Sequence, residues 1–99
     1  MTTDMHLAKQ AAHDKLASQL KTAEAALDTL KARAEAAKAN LEIKAIGELT
    51  SKKSVIQQKL QELQKAGENQ WEHAQRDAET HLAAFEKSVK GIESKMKRS

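Results

Sequence analysis

Apolar positions in the first half of the chain repeat with alternating spacings of four and three residues. The run starts at Leu16 and continues to Leu41, with leucine or alanine at every position. Apolar residues with this spacing form one stripe along an α-helix, and the stripe faces a partner helix in a left-handed coiled coil. The pattern predicts a first helix over residues 4–46, with its apolar stripe packed against another helix.

The second half of the chain carries its own apolar stripe, which runs from Ile56 to Met96. Several of its members are eleven residues apart, as Leu60, Trp71 and Leu82 are. An eleven-residue repeat is typical of nearly straight helices that pack with little supercoiling. The stripe therefore predicts a second helix over residues 55–97.

The segment between the two stripes has the features of a connection between helices. Gly47 resembles a helix stop, and Ser54 with Gln57 resembles the capping box that opens a helix. If the chain reverses here, Leu30 lies opposite Trp71 and Leu16 lies opposite Phe85. The sequence therefore predicts an all-α fold, an antiparallel two-helix coiled-coil hairpin with a loop at residues 47–54.

Two other arrangements remain open at this point. Gly67, followed by the cap-like Asn69, would give three helices if the chain also breaks at Gly47. Without either break, the chain would form one continuous helix. The hairpin is preferred because the bulky Trp71, opposite Leu30, then lies between the small residues Ala34 and Ala37 on one side and Ala23 on the other. The residues expected in the interhelical seam are Leu16, Leu20, Leu27, Leu30, Leu41, Leu60, Leu63, Trp71, Leu82, Phe85 and Val89.

Composition supports a helical fold with a thin core. The 99 residues contain three glycines, no proline and no cysteine, and the abundant residues are strong helix formers. A chain of this length is expected to form a single domain over residues 1–99. A two-helix hairpin leaves its outer sides exposed, so two copies are expected to pair, with a four-helix bundle as the resulting assembly.

The charge pattern narrows the classes of partner. The formal charge is +3, and the excess lies between Lys87 and Arg98, while opposite signs alternate elsewhere. Nucleic acid is not an expected partner, because stacking aromatics are almost absent. A membrane surface is a weaker alternative to a protein partner. Neither a signal peptide nor a membrane span is recognisable, and with no cysteine the expected location is the cytoplasm.

One cluster of residues has the chemistry of a metal site. His73, Asp77 and His81 are four residues apart and therefore share one helix face. Imidazole and carboxylate groups bind zinc, nickel and copper, but the two histidines are about 12 Å apart along a helix, too far to bind one ion. A solvated helix face is therefore the preferred interpretation, and no cofactor is expected.

The sequence favours a non-enzymatic interaction or scaffold protein that binds itself or another helical protein. It has no phosphate-binding loop or nucleophile motif, and a hairpin offers little concavity for catalysis. The alternatives are an amphipathic protein that protects against stress or coats lipid surfaces, and a weak metal-binding hairpin. The eleven-residue periodicity resembles the amphipathic repeats of late-embryogenesis-abundant and apolipoprotein-type proteins, but it is less regular, and no family is assigned.

Overall fold

The chain forms three α-helices and, within the described residues, no β-strand. A computed structural model describes the backbone of residues 2–67 and 69–98, and the side chains of residues 7–67 and 69–97. Helix α1 is Thr2–Ala36, α2 is Asn40–Lys65 and α3 is Trp71–Arg98. The predicted all-α fold class is confirmed.

The three helices pack against one another in an up-down-up arrangement. Each pair of helices is in contact, and the connections between them are short. The Cα atoms occupy a rod of 54 × 16 × 16 Å. At 1.5 Å per residue, the 35 residues of α1 extend for about 52 Å, so this helix alone sets the length of the molecule.

The predicted hairpin with a loop at residues 47–54 is wrong, because α2 runs through this segment without a break. Ile46 and Leu49, which flank Gly47, are 2% and 3% exposed, and Ile56 on the same helix is 1% exposed. Burial of these three side chains contributes several kcal/mol, whereas a glycine inside a helix costs only about 1 kcal/mol. Core formation therefore overrides the glycine stop and the serine cap.

The first reversal of the chain occurs instead at residues 37–39, which contain no glycine. Lys38 takes the left-handed conformation, with φ of 56°. Its N–H donates to the Glu35 carbonyl at 3.2 Å, and the Ala39 N–H donates to the Ala34 carbonyl at 2.9 Å. These two bonds form the Schellman motif that ends many helices, with lysine in the place that glycine usually takes.

The second reversal lies at residues 66–70, where the alternative interpretation with three helices had placed a break. The backbone N–H groups of Gln70 and Trp71 both donate to the Gly67 carbonyl at 3.0 Å. Lys9 of α1 donates from its Nζ to the Ala66 carbonyl at the C-terminus of α2. A cation at this position also interacts favourably with the helix dipole. The three-helix interpretation is therefore correct for the break near Gly67 and wrong for the break at Gly47.

The core is a single cluster of apolar side chains drawn from all three helices. Nine residues of the predicted seam are buried, and Trp71 is partly buried against the same cluster. The predicted place of Leu41 in the seam is wrong, because its side chain is 81% exposed. It lies in the first turn of α2, after the chain has reversed, and not on the first helix as predicted.

Candidate functional site

The cluster predicted from the sequence lies on the outer part of α3, beside α2. Asp77 accepts a hydrogen bond from Lys59 Nζ of α2 at 2.7 Å. His81 Nδ1 lies 3.3 Å from the Asp77 carboxylate and 2.8 Å from its backbone carbonyl oxygen. Asp77 is thus held between a lysine of one helix and a histidine of its own helix.

The contact with Lys59 favours the charged form of Asp77. The hydrogen bond from Lys59 lowers the pKa of Asp77 from its ordinary value, and partial desolvation opposes that shift. Attraction to Lys59, and to a smaller degree to His81 and His73, also lowers the pKa of Asp77. The same hydrogen bond raises the pKa of Lys59. The carboxylate is therefore ionised at neutral pH and paired with an ammonium group.

Because it is paired with Lys59, Asp77 is a poor ligand for a metal ion or a substrate. A cation at Asp77 would have to displace Lys59, because both bind the same carboxylate. Among the residues whose positions are described, no group of three or more histidine, cysteine, aspartate or glutamate side chains is arranged to hold a metal. The geometry instead supports a minor structural role, in which the pair links α2 to α3.

We expect the pair to stabilise the fold only over a limited pH range. The contribution of Asp77 is full above 3.8, the ordinary pKa of this group, and is lost as the pH falls through the lower pKa of the folded state. The contribution of Lys59 is full below 10.5 and is lost as the pH rises through its raised pKa. Thermal unfolding of Asp77→Asn should therefore give a slightly lower Tm than the wild type at neutral pH.

That difference in Tm should shrink as the pH falls below 3.8, because the wild-type carboxylate then becomes protonated as well. The effect is expected to be small, because the Lys59 and Asp77 side chains are 27% and 32% exposed. Glu48→Gln removes an exposed carboxylate of α2 and serves as the control. A difference between Asp77→Asn and wild type that stayed constant down to low pH would contradict the assignment.

A shallow groove of about 280 Å³ runs between α1 and α3. Ala23 and Val89 form its buried floor, and Glu86, Lys90 and Glu93 of α3 lie along one side. Its other side is formed by small residues of α1, including Ser18 and Thr22. The groove therefore opens directly onto a face of α1 that neither α2 nor α3 covers.

That face of α1 carries a second stripe, made of small uncharged residues, which we call the outer stripe. Its members are exposed and repeat with alternating spacings of four and three residues. This is again the spacing of a coiled-coil seam, but on the side of the helix away from the core. The outer stripe consists of Ser18, Thr22, Ala25, Thr29, Ala32 and Ala36.

The outer stripe is less polar than its composition indicates. The Thr22 hydroxyl donates to the Ser18 carbonyl at 3.1 Å, and the Thr29 hydroxyl donates to the Ala25 carbonyl at the same distance. Both hydroxyl groups are thus satisfied within α1, one turn back along the helix. The threonines can present their methyl groups to a partner without leaving a polar group unpaired.

Comparisons with protein-family models, with curated proteins and with solved structures found no match for this chain. Across residues 2–67 and 69–98, no helix combines the length and the apolar character needed to cross a lipid bilayer. Indications of function therefore come from the surfaces of the bundle, and from the outer stripe first of all.

Proposed function

We propose that this chain is a non-enzymatic helical interaction protein, and that the outer stripe of α1 is its docking face. The observation that carries the proposal is the heptad spacing of six exposed small residues over 18 to 36, about 27 Å of helix. Small side chains let a second helix approach closely, so that backbone and methyl groups form a densely packed contact. The partner we propose is α1 of a second copy.

Charged residues beside the outer stripe are spaced to pair between two parallel copies. Asp28 and Arg33 are exposed and lie on opposite flanks of the stripe. They are five residues apart, which is the separation of the flanking residues that meet between helices of a parallel coiled coil. Asp28 of each copy then faces Arg33 of the other, and the contact forms twice. In an antiparallel pair Asp28 would face its own counterpart, which is repulsive, but Lys21 would face Glu35 of the other copy, so the orientation is decided by the charge swap described below.

The proposed dimer differs from the assembly expected from the sequence. A four-helix bundle would form from two hairpins, whereas two copies with three described helices each bring six helices together. The contact is narrow, since the stripe is one helix wide. We therefore expect a reversible dimer that forms with rising concentration. A cytoplasmic location remains part of the proposal, because a sequence without cysteine suits a reducing compartment.

Light scattering coupled to size exclusion tests the docking face. Ala25→Arg places a long charged side chain on the outer stripe, and we expect it to raise the dimer Kd at least about tenfold. Ala84→Arg is the matched control, because Ala84 is an exposed alanine of α3. Both residues are helical and exposed, so both variants should remain folded by circular dichroism.

A charge swap tests the orientation. Arg33→Glu alone should weaken the dimer, because it places two acidic groups against each other. Combining it with Asp28→Lys should restore the dimer, because the attraction is then re-formed with opposite signs. If the swap restores nothing while Ala25→Arg still weakens association, the pair is not parallel. A wild-type chain that stays monomeric at every concentration would contradict self-association and leave a different helical protein as the partner.

A further inference from the structure

One end of the bundle holds the excess positive charge of the protein. The α1–α3 groove brings residues 18–26 of α1 beside residues 86–93 of α3, so the last turns of α3 extend toward the reversal at 37–39. We call residues 30–46 together with 92–97 the basic end. Its basic residues are Lys31, Arg33, Lys38, Lys44, Lys95 and Lys97.

Only three acidic residues lie at the basic end, namely Glu35, Glu42 and Glu93. The end therefore has a formal charge of +3, the same as the whole chain. The other end of the bundle, around the reversal at 66–70, mixes acidic and basic residues in similar numbers. The rod is thus electrically asymmetric along its long axis, which the sequence alone does not reveal.

The basic end also carries the most exposed large apolar side chain among the described residues. Leu41 is 81% exposed, compared with 58% for Leu7 and 41% for Val55. It lies between Lys38 and Lys44 in the sequence. Lys38 occupies the left-handed position that glycine favours, at a cost of roughly 1 kcal/mol. A strained lysine and an exposed leucine therefore occur together at the tip of the molecule.

We propose that the basic end docks the bundle end-on to an anionic phospholipid surface. Leu41 inserts at the boundary between headgroups and acyl chains, and Lys38 and Lys44 contact lipid phosphate groups. This combination of one apolar side chain and nearby cations suits reversible binding to a charged bilayer. The inference goes beyond the proposed dimer, and the variants that test it leave the outer stripe unchanged.

The shape of the basic end favours lipid over a protein partner. The cross-section of the rod is only 16 × 16 Å between Cα atoms. A stable protein interface buries about 800 Å² on each partner, more than a convex tip of this size offers. A headgroup layer can mould itself around a tip, and the attraction of lysines to an anionic surface acts across about a Debye length.

Nucleic acid is the less suitable anionic partner. Binding to single strands normally adds aromatic side chains that stack on the bases. Trp71 lies at the reversal between α2 and α3, and Phe85 is 1% exposed, so neither can stack at the basic end. Nucleic acid also provides no apolar layer to receive Leu41. The apolar tip is therefore the feature that distinguishes a lipid surface from a nucleic acid.

Vesicle cosedimentation of the full chain tests the proposal, with phosphatidylcholine vesicles that either contain or lack phosphatidylserine. We expect binding only when phosphatidylserine is present, and we expect the bound fraction of the protein to decrease steeply with added salt. Leu41→Ala should weaken partitioning about tenfold. Val55→Ala, the matched apolar control from the middle of α2, should have no effect. Both side chains are exposed, so neither substitution should unfold the bundle.

Two double substitutions of lysine test the electrostatic contribution to vesicle binding. Lys38→Gly combined with Lys44→Gln should reduce binding at least about tenfold, because each lysine near the surface contributes. Lys38→Gly also relieves the left-handed backbone, so loss of binding cannot be attributed to unfolding. Lys15→Gln combined with Lys21→Gln removes the same charge from α1 and should have a smaller effect. Equal losses from both pairs would overturn an end-specific site.

Orientation can be measured directly, because the sequence contains no cysteine. An environment-sensitive dye on Ala37→Cys should change its emission when vesicles bind, whereas the same dye on Gln70→Cys should not. Residue 70 lies at the opposite end of α2, about 39 Å away along the axis. The reverse pattern, or a response from both dyes, would overturn end-on docking.

Two further outcomes would also overturn the proposal. The first is equal binding to vesicles with and without phosphatidylserine, or binding to neither. The second is binding to a short DNA duplex that depends on Lys38 and Lys44 but not on Leu41, which would assign the basic end to nucleic acid instead.

Discussion

Leu49→Ala is expected to lower the free energy of unfolding by about 2–5 kcal/mol, whereas Leu41→Ala should change it by less than about 0.5 kcal/mol. Leu49 is 3% exposed in the core, and removing its side chain loses apolar contacts and leaves a cavity. Leu41 is 81% exposed, so its truncation leaves no cavity. The same chemical change at two positions of one helix should therefore have very different effects.

Urea denaturation followed by circular dichroism and by Trp71 fluorescence measures both values. Trp71 is the only tryptophan and packs partly against the core, so it reports the loss of tertiary structure. The two-helix hairpin leads to the opposite ranking, because it places Leu41 in the seam and Leu49 in the loop. A large cost for Leu41→Ala together with a small cost for Leu49→Ala would contradict the three-helix bundle.

Ser51→Pro is expected to destabilise the fold by about 3 kcal/mol or more. Ser51 is an exposed residue in the interior of α2. Proline there removes a backbone hydrogen bond, and its ring collides with the carbonyl group one turn earlier. Because the Ser51 side chain is exposed, the loss of stability reports on the helical backbone and not on core packing. In a loop at residues 47–54, the same substitution would be nearly neutral.

Gly47→Ala is the matched control in the same segment, and it should act in the opposite direction. Alanine is favoured over glycine in a helix interior by about 0.5–1 kcal/mol. A Cβ built at Gly47 meets nothing within 4 Å, so no collision opposes the gain. Thermal unfolding of both variants gives the test. If Gly47→Ala destabilises the chain and Ser51→Pro does not, α2 is broken at its centre.

The proposed docking face and the proposed lipid-binding end use separate parts of the molecule. The outer stripe runs along the side of α1, whereas Leu41 and Lys38 lie at the tip. A parallel dimer would place both basic ends at the same end of the assembly. In that case dimerisation should strengthen binding to a charged surface, because two tips then act together.

The sequence identified Asp77 and its neighbouring histidines as a cluster, because spacing within one helix is visible along the chain. It could not identify Lys59 as the main partner of Asp77, because that contact depends on the register between α2 and α3. The outer stripe could have been recognised from its spacing. It was missed because the larger apolar residues of α1 form a stronger pattern on the other side of the helix.

The sequence by itself determined that the chain is helical and which large side chains avoid water. The spacing of Leu16, Leu27, Leu60 and Phe85 predicted their burial, since periodicity within a helix is a local property. Only the tertiary structure decided where the chain reverses. Helix stop and start signals contribute about 1 kcal/mol each, whereas burial of Ile46, Leu49 and Ile56 together contributes several times more. Packing of the core between three helices therefore determined where the chain reverses. It also placed Lys38 and Leu41 at an exposed tip.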